Sequence, residues 1–434
     1  MELFNPVVIS VITLCLLCVL KINVLFSLMI SAIVAGLLSK MPIEKIMDLF
    51  ISGMGQNSET ALSYILLGTL AAAMTHTGLT QVMAVKISNL IKDNKFLLLG
   101  ILILISIMSQ NLIPVHIAFI PILIPPLLSL MNRLQLDRRA VACSLAFGLK
   151  APYISLPLGF GLIFQGLIAD NMTQNGMLVH GNEVWKYSCI LGFGMFIALL
   201  IAIFFTYSKP REYQKQVSEE ISENNEVKLN KRHYITLIGA FLTLAVQLWS
   251  SSLPLGALVG LGVIFGFKAI SRKKMDILIN EGVGLMGYIA FVMLVCAGYA
   301  LVLKETGGID TMLNSVLPII QDSKILAILS MLAIGLLITI GIGSSFGTIP
   351  ILAVLFVPLC AKLGFSIPST IILLCAAAAL GDAGSPASDT TLGPTAGLNA
   401  DNQHNHIKDT CIPTFIHFNT ALIITAIVAV YIFK

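Results

Sequence analysis

Residues 209–233 read KPREYQKQVSEEISENNEVKLNKRH. Both signs of charge occur and apolar side chains are few. Such a stretch cannot bury enough surface to pack, and it reads as a solvated linker. The chain on either side has the opposite character. Of its 434 residues, 57% are hydrophobic and 11% charged, whereas a soluble domain carries about 25% charged residues. Mean hydropathy is +0.92. Apolar runs long enough to cross about 30 Å of hydrocarbon recur from end to end. The composition therefore predicts an all-α polytopic membrane protein with no soluble domain of useful size. A net charge of +4 identifies no partner, because the excess of Lys and Arg in cytoplasmic loops produces it alone. The eight cysteines are scattered, mostly in apolar runs such as CLLC at 15–18, and read as small buried side chains rather than disulfides or metal ligands. No cleavable signal peptide is expected, since Glu2 rather than a basic region follows Met1 and no small-residue cleavage site follows the first apolar run.

The linker lies near the middle of the chain. It divides the chain into a first unit, 1–207, the linker itself, 208–233, and a second unit, 234–434. A constant offset of 229 aligns the two units without gaps. Gly53 and Gly55 fall on Gly282 and Gly284, and Thr77-Gly78 on Thr306-Gly307. Asp93 and Lys95 fall on Asp322 and Lys324, residues 120–123 (IPIL) on 349–352 (IPIL), and Pro157 on Pro386. Seven apolar segments fit the first unit, roughly 6–20, 22–38, 60–75, 96–113, 115–131, 140–169 and 185–207, and the second repeats the set from about 235. About 14 segments (12–14) are expected in all. An odd number of crossings per unit inverts one repeat relative to the other, an architecture of many secondary transporters. The basic residues agree with a cytoplasmic linker and outside termini: Lys86, Lys92, Lys95, Arg133, Arg138, Arg139, Lys268, Arg272, Lys273 and Lys274 then share its side.

Segment 140–169 is too long for one plain span and contains KAPYISLP at 150–157; its partner, about 369–398, contains GDAGSP at 381–386 and then Pro394. Proline and glycine predict that both helices unwind there. The preceding segments carry NLIPVH at 111–116 and GIGSSFGTIP at 341–350. Unwound backbone survives at membrane depth only where it lines a cavity or is buried in protein. Four interrupted elements meeting near the midplane are therefore expected, as in transporters whose broken helices form the binding site.

Asp382, Asp389, Ser385, Ser388 and Thr390 supply hard oxygens at the second break, suited to Na⁺ or, on a carboxylate, to H⁺. An ionised Asp at a helix centre costs about 2.5–3.5 kcal/mol on insertion scales, which argues for a role. The competing reading is a carboxylate that caps a half-helix. At the corresponding place the first unit offers Lys150 and His116. Lys150 is a counter-charge to the aspartates, a contact for a substrate carboxylate, or a lysine snorkelling to an interface. Asn111, Gln110, Ser344, Ser345 and Thr348 stand beside the breaks as further polar candidates or as helix–helix hydrogen bonds. His404 and His406, with Asp401 and Asp409, read as a solvated loop rather than a metal site. No metal beyond transported Na⁺ and no cofactor is expected.

The stretch GDAGSPASDTTLGPTAGLNADNQHNHIKDTCIPTFIHFN, 381–419, resembles the signature region of bacterial Na⁺/H⁺ antiporter-family membrane proteins within the ion-transporter superfamily. The resemblance covers most of the chain and is strongest here and around GIGSSFGTIP. It implies a cation-coupled secondary transporter of the bacterial inner membrane, with Asp382, Ser385, Ser388, Asp389 and Thr390 as site-forming positions. A branch that the chain resembles is similar to amino-acid importers, with histidine among the suggested substrates, and Lys150 and His116 suit an organic substrate. The expected partners are Na⁺ and/or H⁺, an amino acid in the second reading, the lipid bilayer and a second copy in a homodimer; no nucleic acid is expected. An enzyme is not. Asp382 sits in ALGD, but a membrane aspartyl protease needs Gly where Ala379 stands and a second Asp in an intramembrane Tyr-Asp pair. A channel fits the inverted repeat but not carboxylates beside Gly/Pro breaks. No GxxxxGK[ST] loop is present, so ATP does not drive transport directly.

Overall fold

The computed structural model describes residues 5–20, 22–79, 82, 86, 94–112, 120, 123–214, 229–250, 252–309, 311–312, 314, 323–342, 344–386 and 388–433. Among these residues the regular elements are all helical. His116, Pro121, Asp93 and Asp322 lie outside the described residues, as does 215–228 of the linker.

The helices start where polar caps precede apolar runs. The side chain of Asn94 accepts from the amides of Phe96 and Leu97 ahead of Lys95–Ile107. Asp137 does the same for Arg138–Ser155, Ser344 for Ser345–Lys362, and Ser366 for Ile367–Ala379. Each satisfies an amide that the first turn leaves free. Four described helices are long and apolar enough to cross a membrane: Gly181–Thr206, Lys231–Ser250, Ser345–Lys362 and His406–Ile432. Arg138–Ser155 and Phe160–Gln174 form a bent pair, at 48° to each other, long and apolar enough together for a broken span or a re-entrant loop. Val24–Leu38, Leu253–Gly266 and Ile367–Ala379 are apolar but shorter. Ile43–Met54, which the hydropathy pattern left out, is an additional helix with Glu44, Lys45 and Asp48 along it; a short 3₁₀ turn joins it to Ser58–His76.

Two packed groups emerge. In one, Met275–Glu305 lies against Val24–Leu38, Ile43–Met54 and Ser58–His76, with Lys231–Ser250 paired to Leu253–Gly266. In the other, Arg138–Ser155 packs on Lys95–Ile107, Gly181–Ile201 and Asp389–Leu398, and Ile367–Ala379 packs on Lys324–Ile342, Ser345–Lys362 and Thr420–Ile432. Met275–Glu305 and Ser345–Lys362 join the groups. Several element boundaries stand 229 residues apart. Helices begin at Val24 and Leu253, Lys95 and Lys324, Arg138 and Ile367, and Phe160 and Asp389. Ser58–His76 and Met275–Glu305 are capped by Thr77 and Thr306, each followed by a glycine of positive φ, Gly78 (78°) and Gly307 (67°).

The breaks differ in detail from the proline pattern. Lys150 and Pro152 are still helical, and the chain leaves the helix only at 156–159. Gly159 has φ 56° there, and a Cβ on it would sit 1.2 Å from the carbonyl oxygen of Asn111. Only glycine fits such an approach. The second break, 380–388, is wider, with Gly381 (φ 81°) and Gly384 (φ 98°) reversing the chain before Ser388 caps Asp389–Leu398. In the GIGSSFGTIP stretch Lys324–Ile342 ends and Ser344 caps the next helix, with Pro350 inside Ser345–Lys362.

The first residues of the linker are held rather than free. The amide of Arg211 donates to the carbonyl of Gln135 (3.0 Å), Tyr213 Oη accepts from the amide of Arg138 (2.9 Å), and Gln214 N donates to Gln403 Oε1 (2.6 Å). Residues 132–139, 211–214 and 399–411 therefore meet at one end of the molecule.

Candidate cation site at the paired helix breaks

Helix Arg138–Ser155 carries Lys150 and Tyr153 three residues apart, hence on one face. That face meets the second break. Lys150 Nζ lies 2.7 Å from Asp382 Oδ2, with side chains 1% and 7% exposed. Tyr153 Oη donates to the same oxygen (3.2 Å), and so does Ser345 Oγ (2.6 Å). Ser388 Oγ donates to Oδ1. Asp382 is therefore fully engaged: an ammonium and three hydroxyls surround it, which is what a carboxylate out of reach of water requires. Tyr153 and Asp382 are themselves 229 residues apart.

Asp389 differs. It is the first residue of Asp389–Leu398, half-buried, and makes no hydrogen bond or ion pair among the described residues. It faces a cavity of about 30 Å³ shared with Asp382, Ser344, Ser345, Ser388 and Thr390. That is room for one ion or water, since a water needs roughly 10–15 Å³ on the same measure. Thr390 Oγ1 lies 2.8 Å from Ser388 Oγ. Gln110 also lines the cavity and its buried Oε1 has no protein partner. Aromatic rings close the other side. Phe346 packs on Tyr64, Tyr153, Phe160 and Phe164 with centroids 5.0–6.1 Å apart. The wall is thus part hard oxygen and part aromatic.

Of the residues singled out from the sequence, Asp382, Asp389, Ser388, Thr390, Ser344 and Ser345 border one cavity, and Lys150 pairs with Asp382. Ser385 turns away: its hydroxyl donates to the carbonyl of Ile340 (3.4 Å), and its own carbonyl accepts from Thr391 (2.5 Å). Asn111 Nδ2 donates to the carbonyl of Ile107 (3.1 Å), and its carbonyl packs on Gly159 rather than on the aspartates. The sequence reading overlooked Tyr153, Tyr64, Phe160 and Phe346. Tyr153 was legible, standing one helical turn after Lys150; the others carry no polar signal.

The 399–411 loop is also not the solvated loop expected. His404 is 1% exposed. Arg138, fully buried, binds Asp401 through both terminal nitrogens (2.6 and 2.5 Å) and the carbonyl of Leu398 (2.9 Å). Arg211 Nη1 binds Asp409 Oδ1 (2.8 Å). No group of three His, Cys, Asp or Glu side chains is placed to hold a metal ion among the described residues.

An apolar helical bundle that buries a lysine–carboxylate pair at a helix break has the features of a secondary transporter of the membrane. Residues 144–430 match the Na⁺/H⁺ antiporter family, and residues 5–91 match the Na⁺-H⁺ antiporter family. The chain belongs to the Na⁺/H⁺ antiporter family. It is 46% identical over 432 residues to an "Uncharacterized membrane protein" of Vibrio parahaemolyticus, covering 97% of this chain and 98% of that one. It is 44% identical over 437 residues to the "Putative amino acid transporter YuiF" of Bacillus subtilis, with the same coverage. Two solved structures share the fold. MtrF of Neisseria gonorrhoeae, described as illuminating a class of antimetabolite efflux pumps, superposes with TM-score 0.62 at 14% identity, over 90% of this chain and 85% of MtrF. The YdaH transporter of Alcanivorax borkumensis gives 0.61 at 11% identity, over 90% and 88%.

Proposed function

We propose that the chain is a secondary active transporter of the bacterial inner membrane, coupled to Na⁺ and/or H⁺ in the manner of a Na⁺/H⁺ antiporter. The observation that carries this reading is a charge count. Two carboxylates, Asp382 and Asp389, line a cavity fit for a single ion, and one ammonium, Lys150, pairs with Asp382. With all three ionised the site is one positive charge short, and one monovalent cation neutralises it. Charges inside a membrane protein are costly and mark ion pathways. A proton on Asp389 removes the charge that would hold Na⁺, so the two cations exclude each other. Asp382 is the anchor, reached by a cation only when Lys150 withdraws, and Asp389 is the open ligand. Ser344, Ser345, Ser388 and Thr390 complete the oxygen set.

The frame for this is two inverted repeats of seven segments joined by a cytoplasmic linker. The 229-residue spacing of helix starts and ends supports it, as does the meeting of Arg133, Arg138 and Arg139 with the linker at one end.

A second reading is Na⁺- or H⁺-coupled amino-acid transport. Lys150 favours it, being able to exchange Asp382 for a substrate carboxylate, and the likeness to YuiF along the whole chain supports it. Uptake into proteoliposomes separates the readings. ²²Na⁺ and a panel of amino acids, histidine included, would be offered under separately imposed Na⁺ and pH gradients. Proton-driven ²²Na⁺ movement without an organic substrate supports antiport; accumulation of one amino acid only under a cation gradient supports the second reading. Movement of neither under any gradient would overturn both.

A further inference from the structure

The carboxylates and the serine and threonine hydroxyls of the cavity all belong to the second unit. One further oxygen at its wall comes from the first. Gln110 lies in the short π-helical turn Met108–Leu112 that follows Lys95–Ile107. It is 5% exposed and lines the cavity together with Asp389, Ser344 and Thr390. Its Oε1 is buried and has no hydrogen-bond partner. A buried amide oxygen without a donor costs free energy, and native proteins keep few of them. Among the described residues that line this cavity, no other fully buried side-chain nitrogen or oxygen is left in that state.

The surroundings hold this turn in place. It packs on Arg138–Ser155 and on Phe160–Gln174. Gly148 lets the helix before it come close, since a Cβ there would lie 2.5 Å from the Cβ of Ser106. Asn111 Nδ2 donates to the carbonyl of Ile107 (3.1 Å), and the Asn111 carbonyl abuts Gly159. Asn111 thus ties the turn both to its own helix and to the first break, with Gln110 beside it at the cavity. A π turn of this kind recurs at functional sites. The residue 229 positions on, Thr339, is used differently: its hydroxyl donates to the carbonyl of Ala377 (3.2 Å). One unit closes this position with a helix-packing hydrogen bond, and the other keeps an oxygen open.

We infer that Gln110 Oε1 is a ligand of the cation, so that one Na⁺ is held by oxygens of both units at once: the Asp389 carboxylate and its neighbouring hydroxyls from the second, the Gln110 amide from the first. Hard cations take neutral carbonyl and hydroxyl oxygens alongside carboxylates. An amide oxygen has two lone pairs and no net charge. It therefore adds a ligand without changing the count in which one monovalent cation balances Asp382, Asp389 and Lys150. It also takes no proton in the pH range of a cell. Asp389 can hold either ion, whereas Gln110 serves Na⁺ alone. The bound cation then bridges the turn beside the first break and the start of Asp389–Leu398.

Gln110 can have this role only if the site takes Na⁺, so it rests on the cation-coupled reading, and the control is the site itself. Binding of ²²Na⁺ to the full-length protein in nanodiscs would be measured at one pH for the native protein, Gln110→Leu, Gln110→Glu and Asp389→Asn. Gln110→Leu should raise the Kd for Na⁺ about tenfold, the effect of taking one polar contact from a buried charge. Gln110→Glu keeps an oxygen at the same place and should bind Na⁺ at least as tightly as the native protein. Melting curves give a readout that a merely structural role would not move. The melting temperature in choline gauges packing, and its rise on adding Na⁺ gauges the ligand. Gln110→Leu should lose most of that rise. A lower melting temperature in choline with the native rise and native Na⁺ affinity would make Gln110 a packing residue and overturn the role. So would Na⁺ binding that Asp389→Asn weakens and Gln110→Leu leaves unchanged, the result expected if only water meets Oε1. Should Gln110→Leu fail to fold, Gln110→Asn, which withdraws the oxygen by one methylene, replaces it with the same outcomes. No ²²Na⁺ binding by the native protein would overturn the cation site and the role of Gln110 together.

Discussion

Replacing Lys150 by Met removes the ammonium from Asp382 while keeping most of the side-chain volume. Taking one partner from a buried ion pair costs about 3–5 kcal/mol, because the other charge is left uncompensated. Asp382 can escape by taking a proton. For an ordinary carboxyl of pKa about 3.9 that costs about 1.36 kcal/mol per unit over roughly three units at pH 7, or about 4 kcal/mol. The two figures agree, so the variant should lose about 4 kcal/mol at neutral pH. It should also respond in ways the native protein does not. Lowering the pH from 7 to 5 should return most of the loss, since the proton becomes cheaper by about 1.36 kcal/mol per unit. Na⁺ should return part of it, about 2.7 kcal/mol at a concentration one hundred times its Kd. Denaturant unfolding in detergent, in Na⁺ and in choline, at pH 7 and 5, reads all of this. Adding Asp382→Asn to the variant should recover most of the stability and remove both responses. A Lys150→Met protein that loses under about 1 kcal/mol, with no acid or Na⁺ rescue, would refute the buried pair as the organising charge of the site.

Asp389→Asn should leave folding intact, because that carboxylate satisfies no protein donor, yet it should weaken the apparent Na⁺ affinity in ²²Na⁺ binding by about tenfold or more, a loss of about 1.4 kcal/mol; unchanged binding would remove Asp389 from the site. Gly159→Ala should destabilise severely, by several kcal/mol, since its methyl would meet the Asn111 carbonyl at 1.2 Å in a positive-φ turn, and a yield and melting temperature equal to the native protein's would contradict the geometry. His404 has its pKa lowered by burial to about 4, so the unfolded chain binds a proton that the folded one refuses between about pH 6.5 and 4. Stability should fall through that window on acidification, by at most roughly 3 kcal/mol, and His404→Gln should flatten the slope. Arg138→Lys should cost more than a surface substitution, because the bidentate grip on Asp401 needs the planar guanidinium; equal denaturation midpoints would argue against a structural clamp.

Much of the frame was legible because membrane solvent simplifies the pattern. Apolar runs, Gly/Pro punctuation and a polar linker are readable without contacts. The helix starts at Arg138 and Ile367 fall where the offset puts them because capping residues, Asp137 and Ser366, are local signals. Pro152 and Pro350 misled as markers of the breaks, since both are carried inside helices whose neighbours pack around them. The acidic half of the site was visible as residue types. The pairing of Lys150 with Asp382 was one of three readings left open, because which ends of two distant helices touch is a tertiary fact. The aromatic wall was invisible, as Phe160 and Phe346 look like any other apolar residue. The burial of His404 was missed because the strand of linker that covers its loop is itself polar.

The contact between Tyr153 and Asp382 has a further consequence. In a duplicated chain, a residue can reach its own counterpart only on the axis that relates the copies. A position on an axis exists once. On the proposed repeat, two sites of this kind could not arise, and the single central place is occupied by unlike residues: a phenol from one unit and a carboxylate from the other. Lys150 likewise faces a counterpart, Ala379, that bears no charge, and Asp389 answers to Phe160. The spacing of helix starts repeats and the charge does not. One unit thus supplies the ammonium and the other both carboxylates.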